Sequence, residues 1–488
     1  MSTDAPVMNP WDSPGAAGHI PPDKQPQFLG HPAGLFVLFF TEMWERFSYY
    51  GMRGLLKAYI VYYACSAAGK VLYPTDSPPV PTGVPSNPFG IVGWDFLQWL
   101  PDWVISKSSV QDFASSLYGS YTALVYLTPV IGGILADRWI GQRKAVVIGG
   151  LIMALGEFTM ASERFFLLAL GLLIIGNGFF KPNISTQVGD LYPAGDSRRD
   201  GAFTIFYMGI NLGAFACNFV TGTLAAIYGW AYGFGAAGVG LLIGLVIYLF
   251  GRKYLAPELP KEHKAAEAAA AGPLTSDDWV KVGALCALCL LNVAFWAVYE
   301  QQGNTMQTWA DTQTNWPVIL GFAIPPNWFQ SFNPFMIFTL APLLEMVWRW
   351  QAKNGNEPTS VGKMAIGSTV LGLSFLVMAY GAFLIGDGKG SLFWPFACTL
   401  ILTVGELYLS PIGLSLVTKV SPPRIVSMMM GVWLASSFAG NFLSGAIGTL
   451  YDDMTKTNFF LLLCAIGVST GIAMWAFNKP LKKALGGH

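Results

Sequence analysis

The sequence predicts an all-α membrane protein with twelve spans, on three observations. Of its 488 residues, 53% are hydrophobic and only 11% are charged, whereas soluble domains are about a quarter charged. Apolar stretches of the roughly 20 residues a helix needs to cross the hydrocarbon recur from end to end. The alternating ten-residue strands of an outer-membrane barrel are missing.

The spans fall near residues 34–63, 113–136, 144–162, 165–188, 203–227, 230–251, 279–303, 329–350, 363–386, 392–417, 425–449 and 457–478. Cations test that count. With a cytoplasmic N-terminus, inner segments hold Lys24, Arg138, Arg143, Lys144, Arg198, Arg199, Arg252, Lys253, Lys261, Lys264, Arg349, Lys353, Lys363, Lys419, Arg424, Lys479, Lys482 and Lys483. Outer segments hold only Lys70, Lys107, Arg164, Lys389 and Lys456. Positive charge gathers inside, which places both termini in the cytoplasm. One span more or fewer would scramble the pattern.

Residues 1–33 form a Pro-, Asp- and Gly-rich tail with no apolar core of a cleavable signal. Two six-helix bundles follow, 34–251 and 279–478, joined by a charged, Ala-rich linker at 252–278, and 479–488 form a short tail. An outer insertion at about 64–112 carries Pro74, Pro78, Pro79, Pro81, Pro85 and Pro88, with Trp94, Trp99 and Trp103 suited to the membrane interface. Net charge is zero, so no nucleic-acid partner is expected. His19, His31, His263 and His488 all lie outside the spans. A haem pair, a zinc site or a histidine proton relay inside the membrane therefore lacks its ligands, and no metal or cofactor is expected. Cys286 and Cys289 read as packing residues of an apolar helix.

Charge inside a span is costly and marks function. On a helix turning about 100° per residue, Glu42, Glu45, Arg46, Tyr49, Tyr50, Arg53 and Lys57 share a face roughly 140° wide, opposite Trp44 and Phe47. That face is expected to wall a polar cavity. Further polar groups are Lys181 in span 4, Asn211 in span 5, Glu300 in span 7, Asn333 in span 8 and Glu406 in span 10. Glu157 in span 3 stands apart, either functional or hydrogen-bonded in a minor water pocket.

Span direction sets depth. Arg53 and Glu300 fall in the outer half, Lys181 and Glu406 in the inner half. Each couple joins the two halves of the chain, as gating pairs on opposite sides would, although static pairing would satisfy the same charges. Prolines follow several of these residues, in Lys181-Pro182, Asn333-Pro334 and Ser410-Pro411, where bends could serve as hinges.

Between spans 2 and 3 runs Gly132-Gly133-Ile134-Leu135-Ala136-Asp137-Arg138-Trp139-Ile140-Gly141-Gln142-Arg143-Lys144. Glycines permit close helix approach, and Asp137, Arg138 and Arg143 can brace neighbouring helix ends. The string resembles the loop signature of the major facilitator superfamily. That resemblance implies a secondary transporter with its substrate site at mid-membrane between two halves.

Glu42-x-x-Glu45-Arg46-Phe47-x-Tyr49-Tyr50-Gly51 resembles the first-helix signature of the proton-dependent oligopeptide transporters. Gly176-x-Gly178-x-x-Lys181-Pro182-Asn183, Phe206-Tyr207-x-x-Ile210-Asn211-x-Gly213, Phe295-Trp296-x-x-x-Glu300-Gln301, Gly405-Glu406-Leu407-x-x-Ser410-Pro411 and Met430-Gly431-x-Trp433 are similar to further blocks of that family, in its order. The resemblance implies import of di- and tripeptides driven by a proton gradient, with no cofactor, in the cell membrane, by a protein functional as a monomer. It implies that Arg46, Lys181, Asn211, Asn333 and Glu406 bind the peptide's ends and backbone. Tyr49, Tyr50, Tyr126, Trp296, Trp433 and Ser437 would line its side-chain pockets. Glu42, Glu45, Arg46 and Glu300 would handle protons, with Arg53 as partner to Glu300. The linker has no room for the two extra helices of many bacterial members. Nitrate or a peptide-like drug remains an alternative substrate. A membrane enzyme or sensor finds no nucleophile motif and no soluble catalytic domain.

Overall fold

In the computed structural model, the described residues are 11, 18–65, 83–87, 89–192, 196, 198–257, 274–422 and 425–478. Most of the linker, the proline-rich part of the outer insertion and the C-terminal tail lie outside them. Twelve helices of 18 residues or more occur among the described residues: α1 Ala33–Tyr59, α2 Val110–Leu135, α3 Gln142–Thr159, α4 Phe166–Asp190, α5 Arg199–Tyr228, α6 Trp230–Gly251, α7 Ser276–Tyr299, α8 Phe332–Lys353, α9 Ser360–Ile385, α10 Phe393–Val420, α11 Val426–Gly448 and α12 Lys456–Ala476. Eight helical segments are long and apolar enough to cross a membrane by composition alone. Helix α1 is not among them, because its ionic stripe lowers its hydropathy.

The neighbour pattern repeats. α1 packs on α5 and α6, α2 on α4, and α3 on α4. Six helices later, α7 packs on α11 and α12, α8 on α10, and α9 on α10. One apolar core runs from Leu35 to Leu255 and a second from Val282 to Met474. Between these sets, α2 lies on α11 and α5 on α8. With no hydrophobic drive between helices in lipid, such contacts depend on close approach of small residues. At the α2–α11 crossing, a Cβ on Gly119 would stand 2.5 Å from the Cα of Gly445.

The greasy face of α1 meets protein. Phe47 is buried, and Trp44 and Phe47 pack over Gly240 of α6. Between α2 and α3 the chain turns through Gly141 at φ +90°, a conformation that glycine adopts without strain. Arg143 then bonds the Leu255 carbonyl at 2.8 Å, the Ala256 carbonyl and His19 Nε2 at 2.9 Å. It ties the start of α3 to the N-terminal segment and to the exit from α6. The side chain of Asp137 lies outside the description, and Arg138 is exposed.

Two expectations need correction. Trp94 is no interfacial residue: it is fully buried in a short helix, Trp94–Trp99, donates to the Pro85 carbonyl at 3.1 Å and packs on Phe113. Trp99 and Trp103 are exposed. Pro334 is no hinge, since it sits in the first turn of α8, where its missing N–H leaves no bond unmade. Prolines inside helices are Pro129, Pro182, Pro342 and Pro411.

Candidate functional site

A cavity of about 280 Å³ lies between the two sets of helices. From α1 come Tyr50 and Arg53, from α2 Tyr126, from α4 Lys181, and from α5 Tyr207 and Asn211. Facing them are Trp296 and Tyr299 of α7, Glu300 just beyond it, Asn333 of α8, Glu406 of α10, and Trp433 and Ser437 of α11. The walls are aromatic, with cationic and anionic groups set into them.

Arg53 bridges the halves. Its guanidinium pairs with Glu300 and donates to Tyr118 Oη at 2.6 Å, and the Glu300 side chain is 1% exposed. A buried ion pair is favourable only when further hydrogen bonds satisfy its groups, and Tyr118 supplies one. One turn along α1, the fully surrounded Lys57 donates to Asn304 Oδ1 at 2.5 Å and to the Asn304 carbonyl at 3.2 Å. Asn304 in turn donates to the Ser444 carbonyl at 3.3 Å. The sequence placed Lys57 on the charged face but offered no partner for it. Its partner lies past the end of span 7, where Thr305–Thr312 forms a short buried helix.

The opposite end of the cavity differs. Lys181 and Glu406 line it from opposite walls, yet no ion pair joins them. Glu406 accepts from Asn333 Nδ2 at 2.7 Å, and Tyr299 Oη donates to Asn333 Oδ1 at 3.4 Å. Among the described residues, an ion pair joins the halves at the end remote from residue 33 and none joins them at the other.

Arg46 and Tyr49 do not reach the cavity surface. Arg46 is 2% exposed and is held by Glu45 through both carboxylate oxygens, Nη2 to Oε1 at 2.6 Å. Glu42 Oε1 stands 3.4 Å from Arg46 Nε, and Asn177 Oδ1 accepts from Nη2 at 3.4 Å. The guanidinium lies 4.9 Å from the Tyr49 ring centroid and 5.9 Å from that of Tyr50. This element sits one layer behind the wall, between the cavity and the interior of the first helix set. Lys181 shares the electrostatic field of Glu42 and Arg46.

Comparison with known proteins agrees with this geometry. The family model described as POT family matches residues 143–276 and 274–467. A di-/tripeptide transporter of Lactococcus lactis subsp. cremoris is 30% identical over 94% of this chain and 97% of its own length. A solved peptide transporter POT in complex with alafosfalin superposes with a TM-score of 0.77 at 32% identity, over 96% of this chain and 98% of that one. A POT family transporter solved with 5-aminolevulinic acid superposes at 0.77 with 27% identity, over 95% and 99%. With motifs, fold and cavity in agreement, the chain is a multi-pass membrane transporter, not an enzyme, and belongs to the POT family of proton-dependent oligopeptide transporters in the major facilitator superfamily.

Proposed function

We propose that this protein imports di- and tripeptides together with protons, by alternating access of a bundle at 34–251 against a bundle at 279–478, with both termini in the cytoplasm. The observation that carries the reading is the placement of Lys181 and Glu406–Asn333 on opposite walls of one aromatic cavity. A peptide of variable sequence is best held by its constant ends, a carboxylate for the cation and an ammonium for the anion. Tyr50, Tyr126, Trp296, Trp433 and Ser437 then offer a wall that tolerates different side chains, with Asn211 able to bond the backbone.

Coupling follows from competition for Arg46. Bound in a fork by Glu45 and flanked by Glu42, it is unavailable to substrate. A proton on either carboxyl weakens that hold and lets the guanidinium turn, past Tyr49, to the peptide carboxylate. A proton on Glu300 likewise releases Arg53 and opens the remote end. Binding, gating and proton uptake thus draw on the same few charges, and no cofactor is needed. The protein acts as a monomer in this scheme.

A second reading, a smaller zwitterion as substrate, draws on the relative solved with 5-aminolevulinic acid. Labelled dialanine uptake into proteoliposomes under an imposed inward proton gradient decides between them. The peptide reading expects uptake that unlabelled dialanine competes and 5-aminolevulinic acid does not. No gradient-driven uptake would sink it. Glu42→Gln and Glu45→Gln are expected to abolish gradient-driven uptake and spare peptide counterflow. Equal loss of both would remove the coupling role.

A further inference from the structure

We propose that Glu157 is a proton-binding carboxyl of this transporter, sealed inside the first bundle and linked through Ser48 to the Glu42–Glu45–Arg46 element. The inference rests on the proton coupling proposed for that element.

Glu157 lies near the end of α3, is 0% exposed and lines no part of the cavity. Its Oε1 accepts from Ser48 Oγ at 3.2 Å, and its Oε2 is buried with no partner. Among the described residues no ion pair reaches it, whereas Glu45 and Glu300 each have an arginine. Helix α6 closes one side, since a Cβ on Gly238 would stand 3.2 Å from the Glu157 Cβ. The hydroxyls of Tyr49 from α1 and Tyr121 from α2 are likewise buried without partners. Glu45 is the charged group whose field reaches Glu157, and Tyr121 feels Tyr49, Glu157, the Arg53 cation and Glu45 together.

A buried carboxylate with one hydroxyl donor and no cation lacks the solvation an ion needs. A carboxylic acid fits the same surroundings: it keeps the Ser48 hydrogen bond at Oε1 and carries no charge that needs a cation. Ser48 and Glu45 are three residues apart on α1 and so share a face. When substrate draws Arg46 away, Glu45 loses its cation. The Tyr49 or Tyr121 hydroxyl then turns between the two carboxyls, takes the Oε2 proton of Glu157 and passes its own proton to Glu45. Glu157 ends as carboxylate, Glu45 as acid, and the tyrosine unchanged, so two carboxyls share one proton and the pocket's net charge is conserved.

Glu157→Gln preserves size and the Ser48 contact but has no proton to exchange. In proteoliposomes it is expected to retain dialanine counterflow, while gradient-driven dialanine uptake falls about 10²-fold, the low end for loss of a positioned proton donor. Its uptake is also expected to lose the wild-type pH profile, and Glu157→Asp to recover part of both. Wild-type uptake and pH profile in Glu157→Gln would overturn the proposal. So would equal loss of counterflow and uptake in Glu157→Gln, which marks a packing role. Absence of gradient-driven uptake in the wild-type protein would overturn both this proposal and the coupling beneath it.

Discussion

The ammonium of Lys57 donates to Asn304 Oδ1 at 2.5 Å, one turn beyond the Arg53–Glu300 pair, so that positions four apart on α1 meet positions four apart just past the end of α7. The two rungs are unlike. The first is ion to ion, and the second is ion to amide. Burying an ion costs several kcal/mol after relaxation, more than the roughly 1–3 kcal/mol of leaving Asn304 Oδ1 unpaired. Opening the remote end would hydrate Lys57, so the lysine strains the closed state. Lys57→Met is therefore expected to favour closure and slow uptake, by about tenfold for each 1.4 kcal/mol gained. Spin-label distances across the remote end, between α1 and α7, measure this directly. A more open population in Lys57→Met would refute it.

The first rung gives the converse expectation. Removing either Arg53 or Glu300 leaves the other charge buried alone, at a cost of about 3–5 kcal/mol. Glu300→Ala and Arg53→Ala should each cut dialanine uptake by about 10² or more on that scale. Exchanging the charges, Arg53→Glu with Glu300→Arg, should restore part of it. No recovery in the exchanged protein would show that simple pairing is not what holds the rung.

Sequence made the first rung legible and the second not, for a physical reason. Charges in a span are few, so matching sign and depth left Glu300 as the partner of Arg53. Asn304 carries no charge and sits in the connection at 300–331, whose short helices and buried Trp309 have no apolar period long enough to announce them. Trp94 misled for a related reason, because an aromatic in a loop reads the same whether it faces lipid or caps a small core. Helix positions were legible because bilayer thickness fixes their length. Depth of burial was not: Arg46 and Tyr50 share a stripe, but only Tyr50 reaches the cavity. A helical wheel gives direction without the distance to the neighbouring helix.

The N-terminal segment should loosen in acid. His31, just before α1, meets Tyr192 Oη through Nδ1 at 2.8 Å, and Arg198 donates to the Gly30 carbonyl at 3.3 Å. Burial first, and Arg198 second, hold the His31 imidazole below its ordinary 6.5, while Asp196 opposes them weakly. The docked form thus binds a proton less readily than the released form. Its contribution is intact above pH 6.5 and is lost as pH falls from there through the depressed value. Hydrogen exchange at residues 27–33 should speed up over that window in the wild-type protein and lose the step in His31→Gln. A step that persists in His31→Gln would place the titration elsewhere.

Lys181 provides the test of substrate orientation. It lines the cavity without an ion pair in this state, so a bound peptide carboxylate would gain a charge-assisted hydrogen bond worth about 1.5–3 kcal/mol. Lys181→Ala should weaken dialanine binding by about 10- to 100-fold on that scale. A C-terminally amidated dialanine has no carboxylate to lose, and its affinity should change far less. Calorimetric titration of both ligands against both proteins gives the four constants of a double-mutant cycle, with the ligand's carboxylate as the second mutation. A coupling near zero, meaning equal weakening for both ligands, would move the carboxylate away from Lys181 and leave Arg46 as the remaining cation on that side of the cavity.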